Sequence, residues 1–308
     1  MRARLNNSGS LAAAPAGEPA LWLRTLADYW VLTKPEVNFL VVISTLVGFY
    51  LGARGPLDWM RLIHTLLGTL LVASGTATLN QLMERDADAR MRRTAARPLP
   101  AGRLRPFEAL VFGLLLSIGG GTYLWLAVNP LASVLALATL VSYLLIYTPL
   151  KKQTPWCTFI GAFPGAMPPL IGWAAVAGSL SREAFVLYAI LFFWQFPHFL
   201  AIAWMYREDY ARAGLLMLPK DDAEGKAAGR QIVGYALALL PVSVIPVWTG
   251  QVGVLYLVGA IVLGLMYLTA SARVAVTRSN ALARRLLLAS VVYLPLVFAL
   301  MMIDKVRL

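Results

Sequence analysis

The sequence predicts an all-α integral membrane protein, a single bundle of nine transmembrane helices. Three observations predict it. Of the 308 residues, 59% are hydrophobic and 14% charged, and the mean hydropathy is +0.69, far more apolar than a soluble domain of this length. The apolar residues fall into nine runs, each close to the ~20 residues that carry a helix across a bilayer. The cationic residues alternate in sidedness: of 27 Lys and Arg, 22 lie in the N-terminal segment and in the loops after spans two, four, six and eight. The positive-inside rule puts those segments in the cytoplasm and the C-terminus outside. An extra or missing helix would scramble the alternation. The net charge of +12 therefore marks topology on a lipid bilayer, not nucleic-acid binding, and leaves the oligomeric state open.

In chain order, residues 1–30 contain Ala and Arg but no apolar core of signal-peptide length. They read as a short flexible cytoplasmic tail ahead of one membrane domain, residues 31–308. The spans read approximately as 36–54, 61–83, 106–128, 130–150, 157–178, 183–205, 231–250, 253–271 and 285–303. The links at Asn129–Pro130 and at Ser179 to Arg182 are so short that the spans they join form antiparallel hairpins. Span five, CTFIGAFPGAMPPLIGWAAVAG, is rich in Gly, Ala and Pro, which permit close helix approach and kink the chain, so it reads as central and irregular. Cys157 is the single cysteine, which excludes an intramolecular disulfide and a cysteine-based structural zinc site. Nucleotide-binding, metalloprotease and hydrolase motifs are absent.

The chemistry concentrates at the end of span two, in NQLMERDADARMRRTAARPLPAGR, Asn80 to Arg103. If the helix continues, Asn80, Glu84 and Asp88 follow at i, i+4 and i+8 and share one face. Asp86 then points elsewhere. One amide oxygen and two carboxylates converging there suit a hard divalent cation such as Mg²⁺, which is commonly held by carboxylates together with substrate phosphates. Arg92, Arg93 and Arg97 would meet the remaining phosphate oxygens. The plainer alternative is a solvated, salt-bridged helix end.

Two further loops face the same side. After span six, Glu208, Asp209, Asp221, Asp222 and Glu224 form a second acidic loop; Asp209 ranks first because it sits about one turn past the span, as Glu84 and Asp88 do after span two. The Asp221, Asp222, Glu224 group reads as solvated surface. After span four, Tyr147, Lys151 and Lys152 supply a third cationic rim, either as phosphate contacts or as topology and headgroup charges. No acid lies mid-span, which disfavours an ion-coupled transporter of a lipid or anionic solute. In span six, His198 reads either as an interhelical hydrogen-bond partner or as a substrate contact. Most of the surrounding aromatics, Phe192, Phe193, Trp194, Phe196, Phe199 and Trp204, read as packing or lipid-facing residues, with some free to line an isoprenoid tunnel.

These residues resemble the intramembrane aromatic prenyltransferases typified by 4-hydroxybenzoate polyprenyltransferase, and most closely their protohaem IX farnesyltransferase (haem O synthase) branch. The superfamily pattern N-x3-[DE]-x3-D followed by RT-x2-RPLP-x-G is matched by Asn80, Glu84, Asp88, Arg93, Thr94, Arg97, Pro98, Leu99, Pro100 and Gly102. The branch-level likeness rests on TKP from Thr33, YTPLKKQTPW from Tyr147, GAMPPLIGW from Gly165, WQFPHF from Trp194 and DY-x2-AG-x2-MLP from Asp209. The resemblance implies a nine-helix bundle around a central cavity, with both acidic motifs at its cytoplasmic mouth holding Mg²⁺ and prenyl diphosphate through Asn80, Glu84, Asp88 and Asp209. It implies farnesyl transfer from farnesyl diphosphate to a vinyl group of protohaem IX (haem B) in a bacterial cell membrane. Prenylation of an aromatic acid or quinone precursor is the alternative within the same chemistry. Two departures stand out: Ala213 occupies the second acid position of the second motif, and Cys157 stands where the branch more often has Asn.

Overall fold

The computed structural model describes residues 21–219, 222 and 224–306; Asp221 and residues 1–20 of the expected tail lie outside them. The described residues are helical almost throughout, and their one strand-like pairing is an isolated bridge between Val252 and Lys305. Helix α1 (Leu21–Leu32) comes first. The spans follow as α2 (Pro35–Gly52), α3 (Trp59–Asp88), α4 (Pro106–Ala127), α5 (Pro130–Leu150), α6 (Cys157–Ala177) and α7 (Arg182–Met205). After the short α8 (Arg207–Ala213) come α9 (Lys226–Trp248), α10 (Val254–Thr277) and α11 (Asn280–Ile303). Nine of the described helices are thus long and apolar enough to cross a membrane. The expected start of α9 was late, because the Asp222 carboxylate accepts from Ala227 N and Ala228 N and lets the helix begin at Lys226.

The spans pack as two groups. Helices α2 to α6 surround a core that includes Phe49, Val72, Leu124 and Ile171. Helices α7, α9, α10 and α11 close on a larger one that includes Leu187, Ile190, Tyr256, Tyr267 and Phe298. That second core also takes in Val47 and Leu51 of α2 and Leu170 and Trp173 of α6, which makes α2 and α6 the seam. The seam is tight because of glycine: a Cβ on Gly172 would lie 1.9 Å from Thr45 O, so α2 and α6 meet backbone to backbone. As the composition of span five suggests, α6 is broken, into Cys157–Gly165 and Pro168–Ala177. Gln195 of α7 steadies the break by donating to Ala162 O (2.9 Å).

Helix α1 corrects the expectation of a tail reaching residue 30. Its Leu32 is fully buried with Leu99, Leu104 and Ala109. Tyr29 meets Phe112 of α4 edge-on at 4.9 Å. Trp22, Leu26 and Trp30 stay exposed, the pattern of a helix lying at a membrane surface with aromatic residues at the lipid boundary. The chain then turns sharply. Lys34 adopts a left-handed conformation (φ 48°, ψ 63°), a strained choice for a non-glycine residue, and Pro35 after it has no N–H to offer the end of α1. Side chains supply the missing donors. Gln81 Nε2 donates to Leu32 O (2.8 Å), and Asn38 Nδ2 donates to Thr33 O (2.7 Å) and to Ser74 Oγ (3.0 Å).

Candidate functional site at the end of the second span

The helical period holds to the end of α3. Asn80, Glu84 and Asp88 are all buried on one face, while Asp86 is exposed beside Arg85. A chain of turns then folds back over this end. Thr94 Oγ1 donates to Asp88 O (2.9 Å), and Gly102, at φ 70°, makes the last reversal before α4. Arg97 is thereby brought onto Asp88, with Nη1 2.7 Å from Oδ2. Arg103 closes the segment onto α1 by pairing with Asp28 at 3.0 Å.

One oxygen of each motif side chain faces a cation, and each cation comes from a different part of the chain. Lys34 Nζ donates to Asn80 Oδ1 (3.1 Å). The Asn80 amide nitrogen donates to Thr148 Oγ1 (3.1 Å), which in turn donates to Tyr143 O. Residues Tyr143–Tyr147 form a π-helical turn inside α5, a widened turn that often marks functional sites. It brings Lys151 Nζ to 2.8 Å from Glu84 Oε1 and 4.5 Å above the Tyr147 ring. The approach is off the hydrogen-bonding direction, so Glu84 Oε1 is buried without a hydrogen bond of ordinary geometry. Loss of water on burial, with Arg97 nearby, pushes the Lys34 ammonium down to about 8 against the pull of Glu84 and Asp88. Burial also opposes the charge on Lys151, but Tyr147 and the Glu84 carboxylate outweigh it and hold this ammonium well above the ordinary lysine value.

The second loop joins the same end. Asp209 on α8 is buried and ion-paired with Arg212. Arg93 reaches across to it: its backbone N–H donates to Asp209 Oδ2 (3.4 Å), its guanidinium lies 4.7 Å over the Tyr206 ring, and Nη2 donates to Tyr210 OH (3.2 Å). Leu216 N donates to Lys151 O (2.6 Å). Beneath these contacts Ala87, Met91, Cys157, Ala213, Leu215 and Met217 pack together. Cys157 and Ala213, the two departures from the family pattern, are thus packing residues here. Among the described residues no three His, Cys, Asp or Glu side chains gather closely enough to hold a metal by themselves.

Other expected residues lie elsewhere. Lys152 is exposed on the wall of a cleft of ≈ 620 Å³ with Arg207, Tyr210 and Asp222, and Arg92 is exposed. His198 accepts or donates at Ser290 Oγ (Nδ1, 2.7 Å) and stacks on Trp194 at 5.1 Å, so it bonds α7 to α11 as the interhelical alternative describes. Phe192 and Phe196 pack with Phe159 of α6, and Phe196 also stacks on Tyr235 of α9 at 3.8 Å. Lys34 lies inside the Thr33 to Pro35 motif but received no role from sequence, and neither did Thr148 or Arg212. A cation before a proline at the start of a span was the available signal.

The chain matches the UbiA prenyltransferase family over residues 41–299. It belongs to that family. A protoheme IX farnesyltransferase of Solibacter usitatus (strain Ellin6076) is 52% identical over 91% of this chain and 99% of its own length. One from Salinibacter ruber (strain DSM 13855 / M31) is 45% identical over 91% and 99%. Among solved structures, a digeranylgeranylglyceryl phosphate synthase superposes with a TM-score of 0.75 at 18% identity, covering 92% of this chain and all of that one. A UbiA homologue from Archaeoglobus fulgidus bound to DMAPP and Mg²⁺ gives 0.65 at 16% identity, covering 89% and 99%. At these identities the structures establish the UbiA fold, a multi-pass membrane bundle.

Proposed function

We propose that this UbiA-family chain transfers the farnesyl group of farnesyl diphosphate to a vinyl group of protohaem IX, giving haem O and diphosphate. The names of relatives 52% and 45% identical over nine-tenths of the chain carry the choice of acceptor. The cations and oxygen ligands gathered at the end of α3 carry the choice of donor, since a prenyl diphosphate needs both. The excess of Lys and Arg in the loops at this end supports a cytoplasmic position for it, and the bacterial sources of the relatives support a bacterial cell membrane.

The residues fit a divalent cation. The donor set is all oxygen, and Glu84 Oε1 is a buried acceptor with no ordinary hydrogen bond. Asn80, Glu84 and Asp88 would hold the metal, with Asp209 from the second loop. When bound, it would neutralise charge on the departing diphosphate. Lys34, Lys151, Arg93 and Arg97 would hold the phosphate oxygens and stabilise the same charge as the C1–O bond breaks and diphosphate leaves with the electron pair. The vinyl π-bond attacks C1, and water adds to the resulting cation with loss of a proton. The apolar bundle shields the allylic carbon from earlier attack by water.

Expression of the chain followed by pigment analysis of the membranes tests this reading. Conversion of haem B to haem O is expected. Unchanged haem B, with a prenylated aromatic acid or quinone precursor in its place, would overturn the acceptor.

A further inference from the structure

Ser290 decides how the ring of His198 is protonated. Its hydroxyl lies 2.6 Å from Leu287 O and 2.7 Å from His198 Nδ1. A carbonyl oxygen can only accept, so the one hydroxyl proton goes to Leu287 O. Oγ is then left to accept from His198, which puts the ring proton on Nδ1 and leaves Nε2 with a bare lone pair. His64 has no such assignment, because its partner, the Tyr123 hydroxyl (2.5 Å), is free to donate or accept.

The ring is also held in place. Trp194 stacks on it at 5.1 Å, and Phe199 meets it edge-on at 5.2 Å. Trp194 is in turn tied to the same point of α11, donating from Nε1 to Ser290 O (3.0 Å). Nε2 has no hydrogen-bond partner among the described residues, although His198 sits within a span, where an unpaired polar atom is costly. The side chain is half-buried and Nε2 is not closed off, so a ligand can reach it. An imidazole with its Nδ1–H bonded, its ring clamped and its Nε2 open has the form of a histidine that ligates a metal.

The kind of metal follows from what is missing around it. Among the described residues no cluster of three metal-ligating side chains forms here, so a bare ion would gain a single ligand. An iron that brings its own porphyrin needs only one, and haem iron is commonly held by an axial histidine. The depth suits the acceptor as well. His198 lies seven residues before Met205, the end of α7, which is ~10 Å along the helix. Just past that end the Tyr206 ring carries Arg93. Vinyl groups stand on the rim of a porphyrin, so a ring ligated at His198 can extend toward the diphosphate end.

We infer that His198 Nε2 is the axial ligand to the iron of the acceptor, with Ser290 and Trp194 as positioning residues. The inference rests on the protohaem reading above and adds an anchor to it: the iron takes no part in bond making and serves to seat the ring.

Full-length protein without a histidine tag, in detergent, is titrated with protohaem IX and with metal-free protoporphyrin IX, which has the same ring, vinyl groups and propionates but no iron. The wild type is expected to bind protohaem about ten-fold tighter or more. His198→Gly should close that gap, and free imidazole, which can occupy the vacated space, should reopen it. Ser290→Ala keeps the imidazole but removes its Nδ1 acceptor; it should weaken protohaem binding about ten-fold and leave metal-free binding unchanged. It carries the test if His198→Gly does not fold. Resonance Raman spectra of the ferrous wild-type complex should show an iron–histidine stretch that shifts when the histidines carry the heavier nitrogen isotope. Equal loss of both porphyrins in the variants, or bound protohaem without that stretch, would overturn the ligation and leave the acceptor reading intact. A wild type that binds neither porphyrin overturns both.

Discussion

Asp88 ends α3 with its carboxylate on Arg97 and its main-chain carbonyl on Thr94. It therefore anchors the returning loop as well as one cation. Asp88→Ala and Asn80→Ala are each expected to abolish transfer, while the protein still inserts because the apolar spans are untouched. Membrane-fraction immunoblots beside a haem O assay check this, and full activity in either variant removes the first motif from the site. Arg97→Ala is expected to raise the apparent KM for farnesyl diphosphate about ten-fold or more, since a hydrogen bond to a charged group contributes ~1.5–3 kcal/mol. Arg97→Lys should recover only part of it, an ammonium lacking the two-pronged guanidinium. Equal kinetics for all three proteins would reduce Arg97 to a topology charge. At this scale, the face shared by Asn80, Glu84 and Asp88 was legible because helical spacing alone fixes it. Lys34 was not. Its ammonium reaches Asn80, 46 residues away, only because its backbone turns left-handed before a proline, and no local pattern encodes that. His198 was legible as a polar residue in a span, but its partner Ser290 lies on another helix.

The turn between α1 and α2 is where elements set the geometry. Gln81, next to Asn80 on α3, is buried and supplies the donor that Pro35 cannot give Leu32 O. Gln81→Leu should cost about 0.5–1.5 kcal/mol, since Leu32 O keeps only the longer bond from Thr78 Oγ1 (3.4 Å). It should also weaken diphosphate binding more than acceptor binding, because Lys34 loses its seat. Thermal unfolding and the two affinities, measured in parallel, separate these effects; equal losses in both affinities would show that the clamp only stabilises the fold. Helix α1 was not legible in the sequence, for physical reasons. Its 12 residues are too few for a span, and its apolar face has meaning only once α4 and a lipid surface are beside it. The break in α6, by contrast, was announced by its own prolines.

At the scale of the molecule, the nine spans were legible because hydrocarbon thickness and charge sidedness constrain sequence more strongly than packing does. The pairing of α2 with α6 was not, since it depends on glycines far apart in the chain meeting across a seam. Sidedness is directly testable. Cys157 is fully buried and so gives little background, and Gly55 and Gln153 are exposed at opposite ends of the bundle. With a membrane-impermeant thiol reagent, Gly55→Cys is expected to label in intact cells and Gln153→Cys only after the membrane is opened. The reverse pattern would invert the topology.

The π-helical turn at Tyr143–Tyr147 also bears on heredity. Such a turn holds one residue more than the α-helical turn it replaces, so loss of a single codon there would restore regular helix and leave the facing of everything beyond it unchanged, whereas gain of a codon would rotate it by about 100°. After such a gain Lys151 would swing off Glu84 and Thr148 off Asn80, with every ligand still encoded. Insertion of one alanine after Leu145 is therefore expected to yield an inserted protein without diphosphate binding, and in-frame deletion of Leu145 one that keeps it. Relatives that keep the site should tolerate loss of one residue in this stretch far more readily than gain of one.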